Sequence, residues 1–62
     1  MSSKILVVDD EKIIRESLSY ILKKEGYEVE EAENGMVAYN ILRERSFDLV
    51  ITDLEMPEMK GT

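Results

Sequence analysis

The sequence contains no cysteine and no histidine. Zinc, haem and iron–sulfur centres built on thiolate or imidazole ligands are therefore excluded. So is nucleophilic catalysis of the Ser-His-Asp or Cys-His kind. No disulfide can stiffen the chain, and its 62 residues allow at most one small domain. A domain of that size buries only about 60% of the surface its unfolded chain exposes. Long apolar runs are lacking as well. Lys4 is followed only by Ile5, Leu6, Val7 and Val8 before Asp9 and Asp10 interrupt. A signal peptide needs a longer apolar core, and a membrane span needs about 20 apolar residues. Together with the missing cysteines, this points to the cytoplasm. Positive charge is scarce: 8 basic residues stand against 14 acidic ones, a formal net charge of −6. Such a segment disfavours nucleic acid and anionic membrane as partners, and favours metal cations or a basic protein surface. Repeats, low-complexity tracts and linkers are absent.

What is present is a globular composition, 44% hydrophobic, arranged as short apolar runs alternating with helical patterns. Ile5-Leu6-Val7-Val8 is a continuous, mostly β-branched run, as expected of a strand buried on both faces. Ile13, Ile14, Ser17, Leu18, Ile21 and Leu22 then recur at helical spacing from about Glu11 to Glu25. Asp10 is placed to cap that helix, and Gly26 to stop it after Lys23 and Lys24. Tyr27-Glu28-Val29-Glu30 alternates apolar and charged residues, as an edge strand does. Asn34-Gly35 opens a second helical pattern with Val37, Ala38, Ile41 and Leu42 as its stripe and Arg43 and Arg45 in its last turn. Leu49-Val50-Ile51 is a second buried-type strand, ending at Thr52-Asp53, with a loop from Leu54 to Gly61.

The order β-α-β-α-β implies an α/β fold with a parallel sheet and right-handed crossovers. Helices on opposite faces give a three-stranded sheet of order 2-1-3, with Ile5–Val8 in the centre. In an open parallel sheet, ligands bind beyond the carboxyl ends of the strands, where strand order reverses. Asp9 and Asp10 follow the first strand and Asp53 follows the third, so three carboxylates converge, with Glu55 just beyond. Like charges at short range resist joint ionisation unless a cation binds. Oxygen ligands alone suit a hard ion such as Mg²⁺.

With these residues in view, the sequence resembles the receiver domain of bacterial two-component response regulators. The matching stretches are Ile5-Leu6-Val7-Val8-Asp9-Asp10-Glu11, the helix ending before Gly26-Tyr27, and Ala32-Glu33-Asn34-Gly35. The strongest is Asp48-Leu49-Val50-Ile51-Thr52-Asp53-Leu54-Glu55-Met56-Pro57, with Gly61 after it. The resemblance implies a flavodoxin-like fold with Asp53 as phosphoacceptor. It further implies Mg²⁺ held directly by Asp10, Asp53 and the backbone carbonyl of Glu55, and through water by Asp9. It implies a histidine kinase as partner, and a signalling module rather than an enzyme. The family's later strands carry a Ser or Thr, a Lys and a switch aromatic that residues 1–62 do not match. Thr52 precedes the acceptor on the opposite strand face, and Lys60 lies in the loop. The chain thus looks like the first half of a receiver domain, with weak or no Mg²⁺ binding of its own and no competence to switch.

Plainer readings stand beside these. An Asp pair before a helix commonly serves as cap and solvated surface. Met56 and Met59 suit packing or a turn, Tyr20 and Tyr39 sit partly exposed on helices, and the run Glu28, Glu30, Glu31, Glu33 keeps an edge strand soluble. A haloacid-dehalogenase-like phosphotransferase would need a second Asp where Asp53-Leu54-Glu55 has Glu. A dinucleotide-binding half would need a glycine-rich turn where Asp9-Asp10-Glu11 stands. The remaining alternative is a self-associating structural module, a homodimer or higher oligomer joined through the Leu49–Ile51 edge or by a swap.

Overall fold

The computed structural model describes residues 3–52. Five elements follow in order: β1 (Lys4–Val8), α1 (Lys12–Lys24), β2 (Glu28–Ala32), α2 (Gly35–Glu44) and β3 (Leu49–Thr52). The sheet is parallel with order β2-β1-β3, as the alternation of runs and helices implies. β1 is central, its continuous apolar run suited to burial on both faces: Ile5, Leu6, Val7 and Val8 are all buried. Lys4 to Val8 pair with Glu28 to Ala32 on one side, and Ile5 to Val8 pair with Leu49 to Thr52 on the other. Asp48 locks the second register. Its carboxylate accepts from the Lys4 N–H at 2.7 Å, and its own N–H donates to the Lys4 carbonyl at 2.8 Å.

Side chains alternate across the sheet. Leu6, Val8, Ala32 and Ala38 form the core on the α2 side, with Val37, Ile41 and Phe47 packed against it. Ile5 and Val7 face the other side, where Ile5 and Leu22 of α1 line one cavity of about 410 Å³ with Ser3, Tyr27, Asp48 and Leu49. Both helices pack on β1 and β2 and leave β3 bare.

The helix ends follow their sequence signals. Gly26 takes φ +99°, a conformation that favours glycine. Its N–H donates to the Lys23 carbonyl at 3.0 Å, and the Tyr27 N–H donates to the Leu22 carbonyl at 3.2 Å. That pair of bonds closes α1 as a Schellman motif. At α2, the Asn34 side chain accepts from the Val37 N–H at 2.8 Å, the N-cap bond that orders the first turn.

Four details differ from the sequence expectations. Asp10 is not the cap of α1: Glu11 holds that position without a side-chain bond, and Asp9 instead reaches forward to the Glu11 N–H. β2 starts one residue later than expected and runs on to Ala32, whose small side chain is buried beside Val8. The α1 face against the sheet is Arg15, Leu18, Ser19 and Leu22, while Ile13, Ile14 and Ile21 remain exposed among the described residues. Arg45 lies past the last turn of α2 and pairs with Glu30. Tyr20 and Tyr39 are exposed on their helices, as expected.

Candidate functional site

β1 and β3 leave the sheet at the same end, Val8 paired with Thr52. Asp9 follows β1 directly and continues the ladder, its N–H donating to the Ala32 carbonyl at 3.1 Å. It is 2% exposed, unusual for an aspartate. Three of its four polar groups are committed. Besides the N–H, Oδ1 accepts from the Glu11 N–H at 2.8 Å, and the backbone carbonyl accepts from Arg15 Nη1 at 2.9 Å. Oδ2 is buried and has no hydrogen-bond partner among the described residues. A buried carboxylate oxygen left unmet costs about 1–3 kcal/mol or more. A cation, or water held by one, would remove that cost.

Asp10 is exposed in the bend between β1 and α1, adjacent to Asp9 and open to a ligand. Asp53 and Glu55, the other two residues expected at the site, lie outside the described residues, as does the loop from Leu54 to Gly61. Among the described residues no group of three or more acidic side chains is close enough to hold a metal. The described part of the site is thus the Asp9–Asp10 pair. Its donor set is oxygen only, and one oxygen is buried and unclaimed, a combination that fits Mg²⁺.

Arg15 is the residue that the sequence reading missed. It stands on the packed face of α1, its side chain 15% exposed. Besides its bond to Asp9, its Nε donates to Glu31 Oε1 at 3.1 Å. The signal was available: positions 15, 18 and 22 share one helical face, so Arg15 points where Leu18 and Leu22 point. Glu31 likewise leaves the solvated edge that its charge run suggested.

No described helix is long and apolar enough to cross a membrane. A family model described as the response regulator receiver domain matches residues 5–62. The transcriptional regulatory protein SrrA of Staphylococcus aureus is 44% identical over 61 residues, covering 98% of this chain and 25% of its own length. Two structures of the Vibrio cholerae chemotaxis response regulator CheY4 superpose with TM-scores of 0.85 and 0.86 at 41% identity. They cover 95% and 98% of this chain and 49% and 51% of their own. The chain therefore spans about a quarter of the curated relatives it matches and about half of each chemotaxis protein.

Proposed function

The chain belongs to the response regulator receiver domains of two-component signalling, and from that premise we propose that Asp53 is its phosphoacceptor. The observation that carries the reading is Asp9. A buried carboxylate with one unclaimed oxygen, at the sheet end to which β3 also runs, fits one side of a cation-dependent phosphoryl site. Asp10, Asp53 and the Glu55 carbonyl are the proposed direct ligands of Mg²⁺, and Asp9 acts through water. When bound, the ion supplies neutralising charge where two anions must approach.

The residues do the rest. An oxygen of the Asp53 carboxylate attacks phosphorus, and the bond from phosphorus to the donor breaks. The leaving imidazole of a kinase phosphohistidine takes the electron pair and a proton, and an acyl phosphate remains on Asp53. Asp9 and Asp10 hold negative charge at the site until a cation is bound, so phosphorylation depends on the metal. The module works in the cytoplasm, receives its phosphoryl group from a histidine kinase, and performs no turnover of its own. Incubation with acetyl phosphate, read by intact mass, tests this. Wild type should gain one phosphoryl group with Mg²⁺ and none without it, and Asp10→Asn should gain far less. Equal labelling with and without Mg²⁺ would refute the reading.

A second reading is favoured by β3. Leu49 is 52% and Val50 40% exposed, on a strand at the edge of the described sheet. We infer that two copies pair there, an isologous contact between antiparallel β3 strands. Self-repulsion of chains carrying −6 each makes salt strengthen the contact. Sedimentation equilibrium in the micromolar range should show mass rising with concentration. A folded monomer at every concentration would exclude it.

A further inference from the structure

Arg15 joins two strands at the acidic end of the sheet. Its guanidinium gives one N–H to the Asp9 carbonyl, at the end of β1, and another to Glu31, in β2. The Asp9 carbonyl belongs to the peptide unit that links Asp9 to Asp10. Fixing that carbonyl fixes the plane of the peptide, and hence the direction in which the chain presents Asp10. On its other side Asp9 is held by the Glu11 N–H, so the turn is gripped through both its main chain and its side chain. The grips come from the N-terminal end of α1, one from its N-cap residue Glu11 and one from Arg15 in its first turn. Arg15 and Glu31 are 15% and 31% exposed, enclosed enough to hold one geometry.

We propose that Arg15 is a positioning residue of the cation site: it orients the Asp9–Asp10 peptide for metal binding and ties that orientation to β2 through Glu31. The proposal rests on the metal reading above. A nearby positive charge alone would weaken cation binding, since like charges repel, and its removal would tighten it. A positioning role has the opposite sign, because losing Arg15 frees the peptide that aims Asp10. Residues that orient metal ligands commonly control affinity by about 10- to 100-fold. Lysine supplies a single ammonium in place of the planar fork, so it can serve one of the two partners but not both in the same geometry.

The test is Mn²⁺ titration of the 62-residue chain, followed by the electron paramagnetic resonance of free Mn²⁺, with circular dichroism to establish folding. Arg15→Met should lose about 10-fold or more in affinity, and Arg15→Lys should fall between it and wild type. Ala38→Gly, which weakens the fold from the α2 side, should bind as wild type does. Arg15→Met binding as tightly as wild type, or more tightly, would overturn the proposal. Equal losses in Arg15→Met and Ala38→Gly would overturn it too, reducing Arg15 to a source of stability. Unchanged affinity in Asp10→Asn would remove the metal reading and this proposal together, an outcome distinct from any result with the Arg15 variants.

Discussion

β2 and β3 both border β1 and both end the sheet, yet their chemistry is opposite. β2 carries Glu28, Glu30 and Glu31, while β3 carries Leu49, Val50 and Ile51. On β2 the acids are used: Glu31 pairs with Arg15 of α1, and Glu30 with Arg45 at the end of α2. Both helices pack on that half of the sheet. Among the described residues no helix packs on β3, and the strand carries no charged side chain. Charged residues are how natural sheets blunt an edge, whereas a continuous apolar run suits a strand with neighbours and helices around it. β2 therefore behaves as an edge that faces water, and β3 as an apolar strand at the edge of the described sheet. The acidic end of the sheet lies between these two regimes, held rigidly from the β2 side through Arg15.

The largest effect should come from a residue that serves both edges. Leu6 pairs with Glu30 on one side and Val50 on the other and is fully buried. Leu6→Ala should cost about 2–5 kcal/mol, comparable to what a core of this size supplies. Urea titration by circular dichroism should find it largely unfolded. If it melts like wild type, β1 is not the common support of the two edges.

Next in size is the β2 side alone. Arg15→Met removes two charge-assisted hydrogen bonds from an enclosed site and should cost about 1.5–3 kcal/mol, read from the urea midpoint. Arg45→Gln removes an ion pair between half-exposed side chains and should cost less than about 1 kcal/mol. The order of these two values measures how much of the β2 edge is structural and how much merely solvated.

Much of this contrast was legible in the sequence. The charged alternation at Glu28–Glu30, the β-branched run at Ile5–Val8, the stop at Gly26 and the start at Asn34 set strand order and helix ends, because each depends on local geometry. What was not legible depended on tertiary cover. The apolar stripe of α1 records what the helix could bury, and Ile14 and Ile21 stay exposed among the described residues. Arg15 was not singled out from the sequence, because its partners are a backbone carbonyl and a glutamate 16 residues away. The Asp pair was singled out in the sequence as a candidate site. That Asp9 is the buried member, with one oxygen accepting from the Glu11 N–H and the other without a partner among the described residues, depends on tertiary packing.

The smallest effect on stability belongs to β3. Val50→Lys at an exposed position should shift folding by no more than about 0.5 kcal/mol, yet abolish association, since a lysine blunts an edge. Glu30→Val is the reciprocal change and should promote association through β2. If Val50→Lys still associates in the sedimentation experiment, the contact does not run through β3.

The most direct test of the functional reading is to map the phosphorylated residue. Treating the acetyl phosphate product with borohydride reduces an aspartyl phosphate to homoserine, which peptide mass analysis locates in the chain. Homoserine at position 53, with Asp9, Asp10 and Asp48 unmodified, is the result expected of a receiver domain using Asp53. Homoserine at any of those three positions, or none at position 53 when Mg²⁺ and donor are both present, would contradict it.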